Sequence, residues 1–267
     1  MEEQTMTSSH WEAGITIHQT EIQQLNCTDT LKSGISTYAM NLSEILGDSL
    51  IGIYIYGSLA RGCYHPATSD VDIIVVVKNS YLRQNDMAII NIHYTVGAPV
   101  DAIFVTESQV SADIIPTPIS FLVKPISGYT IFDKTTVIGD FLLMRQDAFE
   151  VGITVAGKLS CDIIPSVAWS LIKESLDFLF PHIVPNFKNP ILMLCRIAYA
   201  HTFHQLCSKR DAGKWAATAF GEQWFTLINI ALVEYNSGTP TASVPISLLQ
   251  EYEQYCISYI NSLPTYD

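Results

Sequence analysis

Apolar positions along the chain recur in two periods, and the period changes part-way through. Between residues 29 and 47, Leu31, Ile35, Tyr38, Leu42 and Ile45 fall three or four apart and predict an amphipathic helix. LIGIYIYGS follows, with the β-branched and aromatic enrichment of a strand that stops at Gly57. SDVDIIVVVK, residues 69–78, is apolar almost without a break, which predicts a strand buried on both faces. A helical pattern over 82–94 and a third strand, VDAIFVT at 100–106, come next. The order helix, strand, strand, helix, strand implies a small mixed sheet with helices packed on it. The first 25 residues have weak periodicity and read as an arm.

After about residue 165 the strand-like runs stop. AWSLIKESLDFLF (168–180), NPILMLCRIAYAHTFHQL (189–206), SKRDAGKWAATAF (208–220), EQWFTLINIALVEY (222–235) and ISLLQEYEQYCISYINSL (246–263) all carry helical spacing. Asn189 followed by Pro190, and Ser208 followed by Asp211, read as helix starts. NSG after residue 235 reads as a helix stop. The last helix has a stripe at Ile246, Leu249, Tyr252, Cys256, Tyr259 and Leu263. The predicted architecture is an α/β (α+β) unit over residues 1–164, of which 1–28 is an N-terminal extension. An all-α helical bundle over 165–267 completes it.

Composition narrows the function classes. With 48% apolar residues in 267, the chain has ample material for a core and is not globally disordered. Its 14 Lys and Arg against 26 Asp and Glu give a net charge of −12. That balance argues against a nucleic-acid backbone or an anionic membrane as partner, and suits a cationic small molecule or a metal–nucleotide complex. No apolar run reaches the roughly 18 residues of a membrane helix. The acidic N-terminus MEEQTMTSSHWEAG does not predict a secretory leader. The six cysteines are scattered without CxxC, which predicts neither a disulfide framework nor a zinc site and points to a reducing cytoplasm.

The chemistry concentrates in YIYGSLARGCYHPATSDVDIIVVV. Residues two apart in a strand point the same way, so Asp70 and Asp72 project together from the start of theirs. Two adjacent carboxylates require a cation, and an oxygen-only set without His or Cys favours Mg²⁺. Mg²⁺ held by two carboxylates usually arrives with phosphates. The Gly57-Ser58 turn offers those phosphates a close backbone approach and a hydroxyl. Asp101 opens the neighbouring strand. If it faces the pair, three carboxylates converge on one site that could hold one or two metal ions and accept a proton from an attacking hydroxyl. The alternative for Asp101 is an ordinary strand-end acid facing solvent. Arg196 lies on an otherwise apolar helix, and Lys209 at a helix start, the unfavourable end for a cation. A phosphate drawn to that helix end would resolve the conflict at Lys209. The plainer alternatives are a core Arg paired with a carboxylate and an exposed lysine.

GSLARG with SDVD resembles the signature of the polymerase-β-like nucleotidyltransferase superfamily. LMLCRIAY, SKRDAGKWA and LVEY resemble the helical part of the bacterial aminoglycoside (3'')/(9) adenylyltransferases, which modify streptomycin and spectinomycin. The resemblance implies Mg²⁺-dependent transfer of AMP from ATP to a drug hydroxyl with release of pyrophosphate; beside it, the expected setting is the cytoplasm and the expected form a monomer. It implies a metal pair at Asp70 and Asp72, a catalytic base at Asp101 (usually Glu in the family), and phosphate-side serines at Ser58 and Ser69. Arg196, Lys209 and Tyr235 match residues that the family's helical part offers to the nucleotide.

The acceptor side departs more from the family. Its acidic drug-contacting residue falls on Asn186, and Asp177 and His182 stand where streptomycin-accepting members carry Trp and Asp. The drug-stacking Trp expected between residues 120 and 128 is absent, and the loop from Gly57-Ser58 to SDVD is one residue longer. Asn186 and His182 are therefore the candidate acceptor contacts. An adenylyltransferase acting on a protein or another small molecule, and a nucleotide-binding module without turnover, are the competing readings.

Overall fold

The structure is a computed structural model that describes residues 15–80, 86–125, 128–132, 136–186, 189–239 and 244–264. Residues 1–14 of the predicted extension lie outside it. Residues 15–25 belong to the fold rather than to an arm. Ile17 bridges Ala156, His18 Nε2 meets the Gly157 carbonyl at 2.8 Å, and helix α1 (Gln19–Gln24) buries Ile22. Short helices such as this one show little periodicity, so the sequence pattern could not separate it from a tail.

Helix α2 (Asp29–Leu46) starts at Thr28, whose hydroxyl accepts from the Leu31 N–H, and buries Leu31, Ile35, Tyr38 and Leu42. Strand β1 (Leu50–Tyr56) leads into the one-turn helix α3 (Gly57–Ala60). Strand β2 (Val71–Val77), helix α4 (Asp86–His93), strand β3 (Val100–Thr106) and helix α5 (Glu107–Val110) follow. Strands β4 (Thr117–Pro118) and β7 (Val137–Ile138) form a separate two-residue ribbon. Strands β5 (Phe121–Lys124), β6 (Thr130–Phe132) and β8 (Ile153–Gly157), with helix α6 (Phe141–Val151) before the last, complete the sheet.

The sheet order is β6-β5-β3-β2-β1-β8, with β2 and β3 parallel and the other neighbours antiparallel. It is the mixed sheet the sequence predicts, widened by β5, β6 and β8. Alternation gives it two apolar faces. Ile53, Ile55, Ile73, Val75, Ala102 and Phe104 pack with α1, α2 and α4. Tyr54, Tyr56, Ile74, Val76, Ile103 and Val105 pack on the opposite side, in a core that runs on into the C-terminal helices.

Those helices are α7 (Ser160–Ile163), α8 (Trp169–Leu179), α9 (Ile183–Asn186), α10 (Pro190–Phe203), α11 (Lys209–Ala219), α12 (Glu222–Ser237) and α13 (Ile246–Asn261). Asn189 and Ser208 cap α10 and α11 through the N–H groups of Leu192 and Asp211. Helix α12 ends at Gly238 in the left-handed conformation. The stripe predicted on α13 buries only Tyr252 and Cys256, and Ile246 is exposed. Among the described residues no helix is long and apolar enough to cross a membrane.

His93, fully buried on α4, bonds the Ile89 carbonyl through Nδ1 and faces the Tyr38 hydroxyl at 3.4 Å. Burial pushes its pKa from 6.5 down to about 4. In the unfolded chain the ring takes a proton as pH falls through 6.5, while the folded ring resists until about 4. The stability it contributes is thus complete above pH 6.5 and lost as pH falls toward 4. The expected loss is up to ~3 kcal/mol. Denaturant titrations of wild type and His93→Gln across that window check this. The variant should lack this component of the acid slope, and an unchanged slope would refute it.

Candidate active site

A row of polar side chains crosses the sheet near the N-terminal ends of β2 and β3. Tyr56 pairs with Asp72, and Asp72 with Asp101 on the parallel strand. Ala102 pairs with Val123, which brings Lys124 beside Asp101, and Lys124 Nζ lies 3.3 Å from Asp101 Oδ2. Asp72 has the parity of Ile74 and Val76, and Asp101 that of Ile103 and Val105. Both carboxylates therefore point to the face that meets the C-terminal helices.

The turn after β1 is fitted to this row. Gly57 has φ +68°, a conformation that L side chains rarely adopt, and a Cβ there would stand 2.2 Å from Asp72 Oδ2. Its N–H donates to Asp147 Oδ2 at 2.8 Å. Arg61 reaches the other oxygen of Asp147 through Nε at 2.7 Å and also meets Glu150 at 3.0 Å. In the longer loop beyond, the His65 N–H donates to the Ser69 hydroxyl, and the Thr68 hydroxyl donates to the Tyr235 carbonyl on α12 at 3.3 Å. The Tyr235 side chain also meets that of Ser69. The loop is thus seated on the helical half of the molecule.

Electrostatics sharpen the picture. Burial first, then Asp101 and Asp70, push the Asp72 carboxyl from 3.8 up to about 8 against the opposing pull of Lys209. Burial also raises Asp101, with Lys124 opposing and Asp70 and Asp140 adding. Asp140, just before α6, is raised by burial against Lys124, Arg196 and Lys209. Lys209, the first residue of α11, is lowered by burial and by Arg196, while Asp72, Asp70 and Asp140 pull it back up. Asp101 Oδ1 is buried without a hydrogen-bond partner. Acids on the sheet side thus confront Arg196 and Lys209 on the helical side. Such a site can hold a cation against the acids and phosphates against the bases.

The residues singled out in the sequence fall into groups. Gly57, Asp72, Asp101, Arg196 and Lys209 come together, with Ser69 and Tyr235 at one edge. Ser58 is half-buried in α3, and Asp70 is exposed at the entrance to β2. Among the described residues no three His, Cys, Asp or Glu side chains are grouped so as to hold a metal ion. At Asp101, Lys124 engages Oδ2 while Oδ1 has no hydrogen-bond partner. A cation facing the Asp70–Asp72 pair still fits the donor chemistry, given the Asp72 carboxyl raised by burial and by its acidic neighbours and the unpartnered Asp101 Oδ1 beside it. His182 is exposed beside Phe178, with ring centroids 5.8 Å apart. Asn186 closes α9, and its side chain lies outside the described residues.

Sequence reasoning missed Lys124, Asp140 and Asp147, all in the stretch between residues 108 and 185. The available signal for Asp147 was an acid among buried positions on FLLMRQDAFEV, which only a partner elsewhere in the chain could explain.

Comparison with known proteins follows the same division. Residues 39–126 match the nucleotidyltransferase domain model, and residues 162–258 match the C-terminal domain model of aminoglycoside adenylyltransferase. The chain thus pairs a nucleotidyltransferase domain with an aminoglycoside adenylyltransferase C-terminal domain. A spectinomycin 9-adenylyltransferase from Campylobacter jejuni is 24% identical over 211 residues, which is 72% of this chain and 80% of that protein. One from Staphylococcus aureus is 23% identical over 211 residues, covering 73% and 81%. The crystal structure of spectinomycin adenyltransferase from Enterococcus faecialis, solved with ATP and spectinomycin, shares the fold at a TM-score of 0.73 and 17% identity. That match covers 86% of this chain and 99% of the other. In this adenylyltransferase the acidic row lies in the segment that matches the nucleotidyltransferase model, and Arg196, Lys209 and Tyr235 in the segment that matches the C-terminal one.

Proposed function

We propose that this adenylyltransferase moves AMP from ATP to a hydroxyl of an aminocyclitol or aminoglycoside, with spectinomycin and streptomycin the leading acceptors. The observation that carries this reading is the Asp72–Asp101 rung facing Lys209 and Arg196. Residues 1–164 and 165–267 act as two units that close on the nucleotide. The triphosphate rests against the Gly57-Ser58 turn and Ser69, with Arg196, Lys209 and Tyr235 on the helical side. Asp70 and Asp72 are the side chains that would hold the accompanying Mg²⁺, which when bound supplies neutralisation of phosphate charge.

Asp101 is the proton acceptor. Burial raises its carboxyl above the ordinary range, nearer to the working pH, which favours general-base action. The acceptor oxygen forms a bond to the α-phosphorus, the bond from that phosphorus to the β-bridging oxygen breaks, and pyrophosphate leaves. The hydroxyl proton passes to Asp101. Arg196 and Lys209 balance the charge that gathers on the leaving group, so the chain contributes chiefly positioning and electrostatics. Asn186 and His182 contact the acceptor, whose positive charge suits the net charge of −12. The setting is the cytoplasm, where ATP is present, and the working form is a monomer.

Acceptor-dependent pyrophosphate release, measured with spectinomycin and with streptomycin, tests this. Release with at least one drug is expected, with an AMP adduct seen by mass spectrometry. Asp70→Ala should lower the rate by about 10²-fold or more. Release with neither drug would move the acceptor to another class, and full activity in Asp70→Ala would remove the metal assignment.

A further inference from the structure

Asp147 is a buried carboxylate that several donors engage at once. Its side chain is 2% exposed on α6, between the buried Leu143 and Ala148. A carboxylate in that position costs several kcal/mol unless donors surround it, and an apolar residue would pack there without that penalty. The donors come from three separate elements. The Gly57 N–H reaches Oδ2 at 2.8 Å from the turn after β1. Arg61, at the end of α3, reaches Oδ1 through Nε at 2.7 Å and a terminal nitrogen at 2.6 Å. Arg196 on α10 approaches the same oxygen at 3.6 Å.

We propose that Asp147 is a positioning residue for the triphosphate, fixing the Gly57-Ser58 turn from behind and tying it to Arg196 on the helical half. This rests on the functional reading above. The bond from the Gly57 N–H sets the plane of the Tyr56–Gly57 peptide, through which β1 enters the turn. The Arg61 hydrogen bond through Nε, reinforced by the ion pair from its terminal nitrogen, clamps the far end of the same turn, so both ends of α3 are anchored to one side chain. The contact with Arg196 differs in kind. At 3.6 Å it is an ion pair without a hydrogen bond, so it orients the guanidinium while leaving its N–H groups able to turn to a phosphate. Asp147 itself does not touch the nucleotide.

The test compares Asp147→Ala and Asp147→Asn with wild type, using Mg-ATP affinity by calorimetry, KM for ATP and for the acceptor, kcat, and the thermal midpoint. Both variants should bind Mg-ATP more weakly, Asp147→Ala by about 10- to 100-fold, with KM for the acceptor unchanged. Asparagine keeps an oxygen for the Gly57 N–H and loses the charge, so its effect should be smaller. If Asp147→Ala does not fold, Asp147→Asn carries the comparison. A double variant with Arg61→Ala should be no worse than Asp147→Asn alone, because both act through the same turn.

A lowered thermal midpoint with unchanged Mg-ATP affinity would overturn the proposal and leave Asp147 a purely structural residue. So would additive losses in the double variant. If wild type binds Mg-ATP but transfers to no drug, the acceptor assignment fails while the affinity comparison still judges Asp147. If wild type does not bind Mg-ATP, both fail.

Discussion

Asp72→Asn is expected to lower turnover by about 10³-fold and at the same time to raise stability near neutral and alkaline pH. The two effects share one cause. The folded Asp72 carboxyl holds its proton up to about pH 8, whereas in the unfolded chain it ionises near 3.8. Between those values the unfolded chain has shed a proton that the folded chain keeps, so wild-type stability falls as pH rises from about 4 to about 8 and then levels off. Asparagine removes that slope. The variant should therefore gain several kcal/mol at most, and several degrees in thermal midpoint, at about pH 8, with the advantage vanishing near pH 4. Thermal melts across this range, with kcat for pyrophosphate release, measure both. A variant less stable than wild type at the alkaline end would show that Asp72 is held by a compensating cation within the chain. Retained turnover would show that it is not in the reaction.

Gly57→Ala should cost both folding and function. Its φ of +68° carries a penalty of about 1–2 kcal/mol for any L side chain. The added methyl would also stand 2.2 Å from Asp72 Oδ2 and 2.9 Å from Asp72 Cγ, so relief requires the carboxyl to swing off its rung with Asp101. Loss of that alignment should lower kcat by about 10²-fold or more. Gly62→Ala supplies the control. Gly62 has φ +66° with open space around the new Cβ, so it should lose only the backbone contribution and keep its activity. Urea midpoints and kcat for the two variants separate these effects. Equal kcat in both would mean that close approach of the turn to Asp72 is irrelevant.

The central strands were legible because their signal is local: VDIIVVV and VDAIFVT carry a near-continuous apolar run with one acid each. The helix starts at Asn189 and Ser208 were equally local, since a cap is written within four residues. The sheet edges were not. Strand β8 pairs with β1 about a hundred residues away, and ITVAG alone has neither length nor alternation to announce that pairing. The same applies to residues 15–25, which are ordered by contacts with 155–157. At the site, the acids that begin strands could be read, whereas Asp147 and Lys124 acquire meaning only from partners on other elements. Arg196 shows both sides of the problem. The plain reading, a core arginine paired with a distant carboxylate, matches its contact with Asp147, and its place opposite the acidic row supports the functional one.

The shared rung of Asp72 and Asp101 has a consequence for how this chain can change length. Two parallel strands hold the acids in step, and an apolar layer on each side fixes which way they face. A single-residue deletion inside either strand would turn its carboxylate into the opposite, wholly apolar layer, which no loop adjustment could repair. Insertions in the connection, residues 78–99, leave that parity untouched. Indels are therefore confined to the links, and the segments around the acceptor can be remodelled while the pair of carboxylates stays where it is.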